Sequence, residues 1–151
     1  MTLFLSAPDG VLARVGDHLG YSDYLEITQE RVDEFARATG DFQWIHVDRQ
    51  RALEGPYGAP IAHGYLILAI GTALTPVFKV EGMKMGVNYG LNKVRFPSPV
   101  IVGSRLRVGV TLLKAEMVRP NVLQVVHEGR YECEGVKKPA CIAEHVSQYF
   151  L

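Results

Sequence analysis

Tyr65-Leu-Ile-Leu-Ala-Ile-Gly-Thr-Ala-Leu-Thr-Pro-Val-Phe78 is the stretch that dictates how the rest of the chain is arranged. It carries no charge and reads as a helix apolar on every side, which implies burial all round. Its 14 residues would reach only ~21 Å at about 1.5 Å per residue. That is short of a bilayer core, so the segment is expected inside a protein and not in a membrane.

Working outward, the chain changes period on the C-terminal side. Arg105, Arg107 and Thr111 alternate with Leu106, Val108, Val110 and Leu112, the pattern of a strand with one wet face. Turn signals at Pro97-Ser-Pro99, Arg119-Pro-Asn121 and Gly135-Val-Lys-Lys-Pro139 divide everything after Gly86 into about four strands of roughly ten residues. An earlier strand is expected within Val11–Tyr24. Long strands joined by tight turns give an antiparallel sheet, and the fold class is α+β with that sheet wrapped round the buried helix. One sheet covers one side of a helix. The other side calls for a second copy, so a homodimer is expected.

On the N-terminal side, Thr28 can cap a helix whose positions Val32, Phe35, Ala36 and Thr39 share a face, with Gly40 as its left-handed terminator. Asp48 can cap a short helix running to Glu54, stopped by Gly55-Pro56. No repeat or linker interrupts the 151 residues, which fit one domain, 1–151.

Formal net charge is zero, whereas nucleic-acid and anionic-membrane binders need surplus Lys and Arg. Neither partner is expected. Met1-Thr-Leu-Phe-Leu-Ser-Ala-Pro-Asp9 shows no basic, apolar leader pattern, and Cys133 and Cys141 read as reduced packing residues. A cytoplasmic location is expected.

The densest chemical signal is Thr39-Gly-Asp-Phe-Gln-Trp-Ile-His46. A carboxylate at Asp41 and an imidazole at His46, the latter in an irregular segment, can converge on one water, and the pair suits general acid–base work. Spacing alone also allows Asp41 to be a helix terminator and His46 a surface residue. The second signal is Pro60-Ile-Ala-His-Gly64. A glycine opening a helix presents an unpaired N–H at the positive end of the dipole, where an oxyanion can be held; a plain tight entry turn is the other reading. His63 reads as a hydrogen-bonded structural residue beside a second-base alternative. No zinc-type spacing, phosphate loop or Gly-x-Ser-x-Gly is present.

Gly40-Asp41, Ile45-His46, Ile61-Ala-His-Gly64, the apolar helix and Val94-Arg-Phe-Pro-Ser-Pro-Val100 together resemble the MaoC-like (R)-specific enoyl-CoA hydratases, from about Glu26 to the C-terminus. Thr39, Gln43 and Trp44 depart from the family's usual Ser-Gly-Asp-x-Asn-Pro-Ile/Leu-His. This version, with Asn88-Tyr-Gly-Leu-Asn-Lys-Val-Arg-Phe96, looks like the branch named after nodulation protein N. The resemblance implies a hot-dog fold, dimers, and reversible addition of water to an enoyl thioester of coenzyme A or acyl carrier protein. It implies Asp41 and His46 on the water, the Gly64 N–H on the thioester carbonyl, and Thr72 as a supporting hydroxyl near the carboxylate. No metal or redox cofactor is implied. Two rivals stay open: an acyl-thioester hydrolase on the same fold, and a non-catalytic acyl-binding subunit. Lys84, Lys93, Arg95 and Arg119 could meet a carrier phosphate or be solvated surface charge.

Overall fold

The structure is a computed structural model and describes residues 2–74 and 77–151. In chain order they form β1 (Leu3–Ser6), α1 (Asp9–Leu12), β2 (His18–Tyr21), β3 (Leu25–Glu26), α2 (Gln29–Thr39), α3 (Trp44–Val47), α4 (Arg49–Leu53), α5 (Gly64–Leu74), β4 (Phe78–Glu81), β5 (Met85–Arg95), β6 (Arg105–Arg119), β7 (Val122–Cys133) and β8 (Cys141–Phe150).

The period-two half becomes a sheet in the order β2-β6-β7-β8-β5, with β3 also on β6. Its pairings are antiparallel. The alternation in β6 sorts as expected: Leu106, Val108, Val110 and Leu112 are at most 1% exposed. On the wet face Arg107 lies 4.0 Å over the Tyr21 ring and pairs with Glu132. Asn121 takes a left-handed φ of 60° in the β6–β7 turn, which its short polar side chain tolerates. A second pair, parallel β1 and β4, stands apart from this sheet. Neither that pair nor α1 has a signal in the local sequence pattern; within Val11–Tyr24, where an early strand is expected, His18–Tyr21 forms one.

The apolar helix is shorter and less covered than its composition implies. α5 ends at Leu74; Thr75 and Pro76, counted in the expected helix, lie outside the described residues. Leu66, Ile67, Ile70, Gly71 and Leu74 are buried against the sheet, but Tyr65, Ala69, Thr72 and Ala73 are exposed and Leu68 is half-buried. These outward positions form one stripe at helical spacing. The expectation of near-complete burial therefore fails for the single chain, because one sheet reaches only one face. On the covered face α5 sits so close to the sheet that a Cβ at Gly71 would run into the Tyr131 hydroxyl.

β5, at the end of the sheet, shares this exposure along nearly its whole length, with Met85, Tyr89 and Leu91 open. Cys133 and Cys141 are free and buried, and burial pushes the Cys141 thiol up to about 12. No helix among the described residues is long and apolar enough to cross a membrane.

Candidate active site

The site is assembled by the way α2 ends. Thr28 caps its start, accepting the Arg31 N–H at 3.3 Å. Gly40, at φ 78°, closes its end by donating to the Ala36 carbonyl at 2.8 Å. The chain then turns on Asp41, whose Oδ1 accepts the Gln43 N–H at 3.3 Å. That turn launches α3, so His46 rides on one helical turn, not on an irregular segment. Ile61 donates its N–H to the Ile45 carbonyl at 3.0 Å, tying α3 to the strand-like stretch before α5.

His46 is only 6% exposed. Its Nδ1 is 2.6 Å from the Ile61 carbonyl, an acceptor, so Nδ1 must carry the proton and Nε2 the lone pair. Burial lowers its pKa below 6.5; the bond to Ile61 pulls it partly back, His63 lowers it again and Asp41 raises it. The net direction is down, which keeps the imidazole neutral near pH 7 and able to accept a proton.

His63 is the buried, hydrogen-bonded residue that its place beside the apolar helix suggests, and the structure sets it against His46 and Asp41. It is 2% exposed, and its ring stacks on His46 with centroids 3.9 Å apart and planes at 26°. Phe35 flanks it at 4.9 Å. Its Nε2 lies 3.0 Å from the Asp41 main-chain carbonyl and so donates to it, leaving Nδ1 as a bare lone pair. That atom is buried with no hydrogen-bond partner among the described residues.

Asp41, His46 and His63 bring one candidate ligand atom each to within 4.8 Å of one another, close enough to ask whether a metal ion could be shared. Nδ1 of His46 and Nε2 of His63 are committed to carbonyls. With those two nitrogens engaged, His46 Nε2 and the Asp41 carboxylate remain for proton transfer.

Gly64 opens α5, and a first-turn N–H has no acceptor within its own helix. Gly64 and His46 line one cavity of about 310 Å³, with Tyr57, Ile67 and Phe96 among its walls. A Cβ at Gly64 would press on the Phe96 ring at 3.2 Å, so glycine keeps this approach open. The structure thus brings Asp41, His46 and Gly64 into one neighbourhood.

It does not bring Thr72 there. Eight residues further on, or about 12 Å along the axis, its hydroxyl donates to the Ala69 carbonyl at 2.9 Å. It lines a second cavity, of about 320 Å³, with Tyr131, His127 and His145. The four cations considered for a phosphate all have protein partners: Lys84 the Leu151 carbonyl, Lys93 Glu144, Arg95 the Val94 carbonyl and Arg119 Gln148.

Residues 11–131 match the family model described as the MaoC like domain. The chain is 47% identical over 150 residues to 3-hydroxyacyl-thioester dehydratase Z of Mycobacterium tuberculosis, covering 99% of each. It is 39% identical to nodulation protein N of Rhizobium leguminosarum bv. viciae, over 91% of this chain and 87% of that one. Among solved structures it is similar to the unliganded R-hydratase PhaJ1 of Pseudomonas aeruginosa, with a TM-score of 0.69 and 27% identity, covering 88% of this chain and 79% of that one.

Proposed function

Since the chain belongs to the MaoC like domain family, with the hot-dog architecture of its structural neighbours, we propose that it is an (R)-specific enoyl-thioester hydratase, acting in reverse as a 3-hydroxyacyl-thioester dehydratase. The observation that carries the reading is the bond from His46 Nδ1 to the Ile61 carbonyl, which leaves a neutral Nε2 beside the Asp41 carboxylate and a helix-opening N–H at Gly64.

The chemistry follows from these groups. The thioester oxygen sits on the Gly64 N–H. A water held by Asp41 and His46 gives one proton to His46 Nε2 as its oxygen bonds to the β-carbon. The π electron pair moves toward the α-carbon, and the charge gathering on the thioester oxygen is stabilised by the N–H. The imidazolium, steadied by the Asp41 carboxylate, then protonates the α-carbon. One water has been added and the imidazole is neutral again. The substrate is an acyl thioester carried by coenzyme A or acyl carrier protein.

The working unit is a homodimer, supported by the exposed apolar stripe of α5 and by β5, an end strand whose free edge can pair. The two free buried thiols suit a reducing compartment such as the cytoplasm.

Purified protein mixed with crotonyl-CoA should bleach the conjugated thioester absorbance without releasing free thiol, and should scatter light as about twice 16.7 kDa. Thiol release without loss of the double bond would make it a hydrolase. No reaction with any enoyl thioester would leave the acyl-binding subunit.

A further inference from the structure

We propose that His63 is a positioning residue for this hydration, clamping the Asp41 peptide and backing the His46 ring so that carboxylate and imidazole meet at one water. The inference rests on the hydratase reading. Its ground is the connection that His63 alone makes among the groups of the site.

Asp41 is exposed on a loop, and its own N–H makes a long bond to the Thr39 hydroxyl, at 3.4 Å. The firmer tie on that peptide is its carbonyl, which accepts from His63 Nε2 at 3.0 Å. The same ring stacks on His46 at 3.9 Å and packs on Phe35 of α2 at 4.9 Å. His63 is also the residue directly before Gly64. One side chain therefore couples the end of α2, the turn carrying His46 and the start of α5, the three pieces that supply the carboxylate, the base and the oxyanion N–H. A misplacement of about 1 Å among such groups can cost on the order of 10²-fold in rate.

The chemistry explains why the position holds histidine. A phenyl ring would pack against His46 and Phe35 but offer no donor to Asp41. An amide would offer the donor but not the stacking face. Imidazole supplies both, and its bare Nδ1, buried without a partner, accompanies that choice. Unpaired buried polar atoms persist where something else depends on them. His63 also lowers the pKa of His46, so its removal should move that group.

The test uses the full chain with His63→Phe, which keeps the ring without the donor, and His63→Gln, which keeps a donor without the ring. With crotonyl-CoA, His63→Phe should lower kcat by about 10- to 100-fold with KM little changed, and His63→Gln should recover a clear part of that loss. In both, the acid limb of kcat/KM should move to higher pH. Wild-type kcat in both variants would overturn the proposal. So would equal losses tracking an equal fall in melting temperature, since that is mere packing. If the wild type itself does not hydrate crotonyl-CoA, the hydratase reading fails separately. The His46 imidazole resonance then decides on its own: an upward shift of its titration in His63→Phe supports the coupling, and an unmoved one overturns it.

Discussion

Two stacked imidazole pairs lie along α5, and they differ in nearly everything except stacking. His46 and His63, beside its first turn, are 3.9 Å apart, and each donates one N–H to a main-chain carbonyl. His127 and His145, under its second half, face each other across β7 and β8 at 5.0 Å. There the contacts are the Tyr131 hydroxyl, 3.1 Å from His145 Nε2, and the edge of Phe78. The first pair has a carboxylate within reach and a helix-opening N–H nearby; among the described residues no Asp or Glu lines the cavity of the second. An imidazole becomes a catalytic base through what holds its other nitrogen and what stands beside it, not through having an imidazole neighbour.

Turnover should separate the pairs most sharply. Asp41→Asn and His46→Ala should each lower kcat by roughly 10²–10⁴-fold, and the double variant should cost little more, because both act on one water. His127→Leu should leave turnover of crotonyl-CoA near wild type. Independent, multiplicative losses for Asp41 and His46 would instead mean separate jobs, and full activity in Asp41→Asn would reduce it to a helix terminator.

The next effect sharpens what the first pair owes to Gly64. Proline is tolerated at the first position of a helix but has no N–H. Gly64→Pro should thus cost about 10²–10³-fold in kcat. Gly64→Ala keeps the N–H and only crowds Phe96, and should lose far less. Similar losses in both, read with melting temperature, would point to space and not to the donor.

The smallest effect belongs to the second pair and appears in stability. Burial drives His127 down to about 4, with His145 pushing the same way. Between pH 6.5 and 4 the unfolded chain takes up a proton that the folded chain refuses. The contribution is therefore whole above pH 6.5 and lost as pH falls toward 4, on the order of 3 kcal/mol at most. Calorimetry across that range should show a falling melting temperature, and His127→Leu should flatten it. Parallel curves would leave the buried pair without a role in acid sensitivity.

These contrasts also mark what could be read in the chain beforehand. The four long strands and their turns were legible because alternation and Pro, Gly and Asn signals are local. So were the Thr28 and Gly40 caps, and with them the place where Asp41 leaves α2. The pairing of β1 with β4 joins Leu3 to Phe78, and no local pattern encodes a contact that distant. Composition made α5 apolar all round but could not say whether sheet or another copy covers each face, hence the exposed stripe. His63 was legible as a hydrogen-bonded residue at the helix entry, but its partner, the Asp41 carbonyl 22 positions away, was not. The available signal was its position beside Gly64, on the turn that delivers the N–H.

The fit of Gly71 beneath Tyr131 has a consequence for how this sequence can drift. Even the smallest side chain at position 71 meets the hydroxyl of a residue 60 positions away, so the two sites do not vary independently. Removing the hydroxyl alone does not clear the way, because the ring carbon that bears it would still stand 3.0 Å from an added Cβ; Gly71→Ala needs the Tyr131 ring itself to be replaced or to shift. The history of the chain is channelled there by one aromatic ring, seven residues along the helix from Gly64.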